Sequence, residues 1–177
     1  MKFLVCHVID GDAGARVDRL RQTIAERFHV NDALRLPVHL TLIRPFEHAE
    51  QAAVSFSVEA ALKALLPFTV QTKGFAAFRK DVWFIELEQD EKLFAVKRAI
   101  EAELGPRTGW TDTYEQNTHF HITLAYKIPD DGTHERIGEF LKTQSVPVGT
   151  ITIDSVSILT HDGARWIPTE TLPFPSA

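Results

Sequence analysis

With one cysteine in 177 residues, the chain has no disulfide framework and no cysteine pair at metal-binding spacing. Cys6 lies inside the apolar run Phe3-Leu4-Val5-Cys6-His7-Val8-Ile9, and an unpaired thiol fits a reducing compartment. No apolar run approaches the ~20 residues needed to span a bilayer. The run after Met1-Lys2 soon meets Asp10-Gly11-Asp12, too short and too quickly charged for a secretory leader. A soluble cytoplasmic protein without membrane contact is expected. Low-complexity stretches and flexible linkers are missing too, so residues 1–177 read as a single domain, expected to be a monomer. An excess of basic residues is also lacking. Lys and Arg number 19 against 24 Asp and Glu, a net charge of −5, which excludes a protein that coats long nucleic acid through many phosphate contacts. A small phosphate-bearing ligand needs only a local cluster, for which Arg44, Lys73, Arg79, Lys80 and Lys127 are candidates.

What the chain does have is one phrase written twice. His39-Leu40-Thr41-Leu42 returns as His121-Ile122-Thr123-Leu124, about 82 residues later, each inside an apolar run of strand character. Side chains alternate along a strand, so His and Thr two apart share one face while Leu40 and Ile122 point to the other. If the two strands lie side by side about a pseudo-two-fold, two imidazoles and two hydroxyls converge on one cleft.

The surrounding pattern alternates strand and helix. Residues 3–9 predict a strand, 15–28 a helix with Val17, Leu20, Ile24 and Phe28 at helical spacing, and 38–43 the first motif strand, bounded by Pro37 and Pro45. A helix is expected over 50–66, then strands at 68–78 and 82–88 around the polar turn Arg79-Lys80-Asp81. Residues 91–104 predict a helix stopped by Gly105-Pro106, and 107–118 an irregular loop leading to the second motif strand at 120–128. A helix at 133–142 and strands at 148–159 and 165–169 close the chain. The approximate repeats are 1–89 and 90–177. With 44% hydrophobic residues, the chain can bury a full core.

Pro37-Val38-His39-Leu40-Thr41-Leu42-Ile43-Arg44-Pro45-Phe46 and Thr118-His119-Phe120-His121-Ile122-Thr123-Leu124-Ala125 together resemble the two-histidine (2H) phosphoesterase superfamily, whose best-known branch is labelled 2'-5' RNA ligase. The resemblance implies an α+β, bilobal fold, in which two pseudo-symmetric lobes of antiparallel sheet with flanking helices surround a central cleft. It also implies cleavage of 2',3'-cyclic phosphates of nucleotides or RNA ends with no metal or other cofactor. The acidic balance argues against long tRNA substrates and leaves small nucleotides or ADP-ribose cyclic phosphates open.

The chemistry follows from the residues as well. Opening a cyclic phosphate needs a base for the attacking water and an acid for the departing ribose oxygen, on opposite sides of phosphorus. Imidazole, with a pKa near about 6.5, fills either role at neutral pH. His39 and His121 are the catalytic candidates, and Thr41 and Thr123 are placed to donate hydrogen bonds to non-bridging phosphate oxygens. Arg44, Phe46, Tyr114, His119 and Lys127 are possible substrate contacts. Arg44 and Lys127 follow their motifs with opposite parity, and a solvated strand-end residue is the plainer reading of each. Phe46, Phe78, Trp83, Trp110, Tyr114 and Tyr126 are candidates for stacking on a base. Strict alternation puts Tyr126 on the face away from His121. His119 shares the His121 face, and His7, His29, His48, His134 and His161 default to core or surface roles. Two other readings stay open: a module that binds a nucleotide or RNA end without turning it over, and a zinc hydrolase using His119, His121 and a third histidine.

Overall fold

The computed structural model describes residues 1–111 and 118–175. Its frame is one antiparallel array of eight strands: β1 (Lys2–Val8), β2 (His39–Glu47), β3 (Phe68–Phe78), β4 (Val82–Leu87), β5 (His121–Tyr126), β6 (Thr150–Ile153), β7 (Ser155–His161) and β8 (Trp166–Pro173). In space they run β6-β3-β4-β5-β2-β1-β7-β8. The two motif strands are therefore the central pair, each flanked by the rest of its own lobe. Four helices accompany them: α1 (Gly11–Phe28), α2 (Gln51–Leu62), α3 (Glu91–Thr108) and α4 (Asp131–Lys142). The expected α+β architecture of antiparallel sheet and flanking helices is present.

The same order of elements occurs twice along the chain. β1, α1, β2 and α2 return about 80 residues later as β4, α3, β5 and α4, with 18-residue helices at both α1 and α3 and 12-residue helices at both α2 and α4. Both long helices end on a left-handed residue, His29 (φ 59°) and Gly109 (φ 71°), whose N–H returns to the carbonyl four residues back. The lobes nevertheless draw on both halves of the chain. β3 and β4 stand beside β5, whereas β7 and β8 return to cover β1.

The helix-facing side of the sheet is the main core. Phe3, Val5, Leu40, Leu42, Ile85, Ile122 and Leu124 pack there against Val17 and Ile24 of α1 and Val96 and Ile100 of α3. A smaller cluster of Leu4, Cys6 and Leu159 holds the opposite side of β1. Core packing fixes α1 tightly to the strand before it. A Cβ on Gly14 would stand 2.1 Å from the Ile9 carbonyl oxygen, so only glycine allows this approach.

Several boundaries differ from expectation. β2 continues through Pro45 to Glu47 because the ladder with β1 is irregular there, with Ile43 opposite Val5 and Phe46 opposite Phe3, so Pro45 sits where the regular pairing is broken. α3 passes Gly105-Pro106 and ends at Gly109; Pro106 lies in the last turn, where the stop is set by the left-handed cap and by the Thr108 hydroxyl bonding the Leu104 carbonyl at 2.7 Å. The expected strand at 148–159 is two strands broken at Asp154, whose carbonyl accepts the Phe174 N–H at 2.8 Å. The helix expected over 50–66 spans only Gln51–Leu62.

Candidate active site

β2 and β5 meet at a narrow seam, where Leu40 is paired antiparallel with Ile122. These are the middle residues of the two His-x-Thr phrases. Antiparallel pairing about this point sets His39 opposite Thr123 and Thr41 opposite His121, with the two histidines on a diagonal. Opposed residues lie ~5 Å apart and diagonal ones roughly 7–8 Å. Leu40 and Ile122 bury their side chains among the helices, which turns all four polar side chains to the open face. His39, Thr41, His121 and Thr123 together line a cleft of about 320 Å3.

The two imidazoles are held alike. His39 Nδ1 lies 2.8 Å from the Pro37 carbonyl oxygen and His121 Nδ1 lies 2.7 Å from that of His119. A carbonyl can only accept, so each Nδ1 carries the proton and donates it, leaving Nε2 unprotonated in the neutral ring. In both motifs the partner is two residues upstream. Burial pushes the His39 pKa down to about 4; the Pro37 carbonyl opposes this, and the nearby Arg21 and His121 charges reinforce it. Burial also lowers His121, opposed by the His119 carbonyl and assisted by the charges of His119 and Arg44. Phe78 stands edge-on to His121 with ring centroids 4.9 Å apart, and Phe84 lies 5.0 Å from it, so aromatic rings confine that imidazole.

Both motif strands carry a bulge directly after their threonine. Ile43 and Thr41 oppose consecutive β1 residues, Val5 and Cys6, and Ala125 and Thr123 oppose consecutive β4 residues, Trp83 and Phe84. The inserted residues are Leu42 and Leu124, and each strand buries two successive side chains there. This corrects the expectation for Tyr126. The extra residue reverses the alternation, so Tyr126 lines the cleft on the same side as His121. Two leucine-apolar dipeptides at matching places, Leu42-Ile43 and Leu124-Ala125, were the available signal.

Other candidates divide. Arg44 and His119 line a neighbouring space of about 280 Å3 that shares Thr41, Pro45, Phe78 and His121 with the cleft. Lys97 of α3, nearly buried and ion-paired with Glu101, lines the same space. Lys127 lies at the end of β5, 3.2 Å from Asp32. Phe46 packs against Phe3 and Trp110, centroids 5.8 Å and 6.5 Å away, and lines neither space. Tyr114 lies outside the described residues. The basic cluster does not assemble: Lys80 pairs with Asp131, and Lys73 and Arg79 line neither space. Trp83 is also remote, stacked on His134.

Two cleft residues were missed from sequence. Trp166, at the start of β8, closes one end. Arg21, from the middle of α1, reaches the cleft wall while only 2% exposed. One of its nitrogens donates to the Leu36 carbonyl at 3.0 Å, while Nε and the other terminal nitrogen have no hydrogen-bond partner; the latter lies 3.6 Å from Asp18. In sequence Arg21 looks like one more solvated charge on an amphipathic helix. Among the described residues no group of three or more His, Cys, Asp or Glu side chains is arranged to hold a metal ion, and no helix is long and apolar enough to cross a membrane.

Comparison with known proteins agrees with this architecture. The family described as the 2'-5' RNA ligase superfamily matches residues 9–165. A solved structure titled as a phosphoesterase superposes with a TM-score of 0.66 at 13% identity, covering 99% of this chain and 98% of its own. E. coli LigT in apo form gives 0.64 at 13% identity with the same coverage, and TT0787 of Thermus thermophilus gives 0.61 at 14% identity with 98% of each chain covered. At these identities the likeness is one of fold. No curated protein matches the sequence.

Proposed function

The chain belongs to the 2'-5' RNA ligase, or 2H phosphoesterase, superfamily, and from that premise we propose that it opens 2',3'-cyclic phosphates of nucleotides or RNA ends by metal-independent acid/base catalysis between His39 and His121. The observation that carries this reading is the Leu40–Ile122 pairing, which sets two imidazoles diagonally across one cleft with a threonine opposite each. A phosphate seated between them has one Nε2 on either side, as in-line displacement requires.

In this mechanism one histidine takes a proton from water as its oxygen attacks phosphorus. The bond from phosphorus to one ribose oxygen breaks, and the other histidine, protonated, gives its proton to that oxygen. The product is a phosphomonoester. His39, with the lower pKa and a buried guanidinium nearby, suits the base, and His121 the acid. Thr41 and Thr123 donate hydroxyl hydrogen bonds to the non-bridging oxygens as negative charge builds. The relative solved with 3'-AMP, E. coli LigT at 12% identity and a TM-score of 0.63, supports a nucleotide as the ligand class.

The test is hydrolysis of nucleoside 2',3'-cyclic phosphates and a short RNA ending in one, with EDTA present. Wild-type turnover should survive chelation, and His39→Ala and His121→Ala should each lose about 10²-fold or more. Turnover abolished by EDTA would point to a metal hydrolase. Tight binding without turnover, unaffected by either substitution, would point to a binding module.

A further inference from the structure

A second pocket borders the cleft. It encloses about 230 Å3 and is lined by Lys2, Arg35, Lys127 and His161, and Tyr126 and Trp166 belong to both its wall and that of the cleft. The two spaces therefore share a stretch of aromatic wall. Three permanent cations gather here in a chain of net charge −5, so the cluster runs against the average of the molecule. Among the described residues, the one carboxylate lining it is that of Asp32, 3.2 Å from Lys127 and 3.8 Å from Arg35. A single carboxylate neutralises one of the three, leaving about two positive charges facing the pocket.

Arg35 and Lys127 reach the pocket from the surface, 62% and 65% exposed, and both meet Asp32. Lys127 adopts a left-handed backbone (φ 58°), uncommon for a residue with a side chain, and its ammonium lies 5.4 Å over the Tyr126 ring. His161 stands edge-on to Trp166, centroids 5.1 Å apart, and its Nδ1 accepts the Gly163 N–H at 3.1 Å. That acceptor role places the ring proton on Nε2 and makes it a donor. The loop beyond is fixed by Asp162, which accepts the N–H groups of Ala164 and Arg165, both at 2.8 Å.

We infer that this pocket is a subsite for a second anionic group of the substrate, the 5'-phosphate of the nucleotide whose cyclic phosphate lies between His39 and His121. The inference rests on the proposed function. A ribonucleotide with its 2' and 3' oxygens at the histidines can carry its other phosphate only on the 5' oxygen, at the far side of the ribose. Tyr126 and Trp166 flank the path between, where aromatic faces suit sugar and base. The 5'-phosphate is either terminal or the diester link to an RNA body; both present anionic oxygens to the same donors.

The experiment compares adenosine 2',3'-cyclic phosphate, its 5'-phosphorylated form and a dinucleotide ending in the same cyclic phosphate. The ratio of kcat/KM values is taken within each protein, so partial loss of folded enzyme cancels. Wild type should prefer the 5'-phosphorylated substrate about tenfold, and Arg35→Gln combined with Lys127→Gln should bring the ratio close to one. A preference shared by the dinucleotide identifies an RNA end, and one confined to the terminal phosphate identifies a free nucleotide. A wild-type ratio near one, or a preference intact in the double variant, overturns the subsite. If no cyclic phosphate is turned over, calorimetric binding of 3'-AMP and adenosine 3',5'-bisphosphate gives the same ratio without catalysis. Tighter binding of the bisphosphate, lost in the double variant, then upholds the subsite although the hydrolytic reading has failed; equal binding overturns it.

Discussion

Leu40 and Ile122 are antiparallel partners across the β2–β5 seam, and both side chains are completely buried. One pair of apolar residues, buried on the other face of the strands, thus sets the register of the two histidines beside them. Leu40→Ala should destabilise the fold by about 2–5 kcal/mol, read as a lower denaturant midpoint. Because Leu40 faces the helices, lost turnover by the folded fraction reports on the spacing of the histidines. Unchanged turnover per folded molecule would mean that the lobes hold their register without it.

The pH profile follows from the directions of the two histidine shifts. With His39 as base and His121 as acid, kcat/KM requires His39 neutral and His121 protonated in the free enzyme. His39 loses its proton above about pH 4, and His121 loses its own below the usual value near 6.5. Activity should therefore rise through about pH 4 and fall before pH 6.5, giving an optimum on the acid side of neutrality. A kcat/KM maximum above pH 7 contradicts this assignment. Stability follows the same groups. The unfolded chain binds more protons between about pH 4 and 6.5, so stability should increase with pH across that window and decline on acidification.

Arg21 lines the cleft beside His39 while almost fully buried. Its charge beside His39 is one cause of the depressed pKa, after burial itself. Arg21→Met keeps the bulk and removes the charge, so the acid limb of the profile should move to higher pH. A structural role alone would lower activity at every pH and leave the limb in place. Removing a buried guanidinium with two nitrogens that lack a hydrogen-bond partner should cost little stability, because its desolvation is lost together with its hydrogen bond to Leu36 and its long ion pair with Asp18.

The sequence by itself determined the two motifs, the elements that carry them and the family they resemble, because those depend on local periodicity and on side chains two residues apart. His39 with Thr41 and His121 with Thr123 could be put on common strand faces from alternation alone. Alternation failed at Tyr126, where the bulge at Leu124 reverses the face, since a bulge is defined by the partner strand and not by its own residues. Helix ends were legible at the start of α3, expected and found at Glu91, where Asp90 accepts the Lys92 N–H at 2.8 Å. They were misread at Pro106, where the left-handed Gly109 and the Thr108 hydroxyl set the stop. Only the tertiary structure decided that Leu40 meets Ile122, that Arg21 of α1 reaches the cleft, and that Lys2, Arg35, Lys127 and His161 share one pocket. Those relations join residues far apart in the chain, and they exist because burying the apolar sides of β2 and β5 under the helices leaves the motif side chains on the one open face.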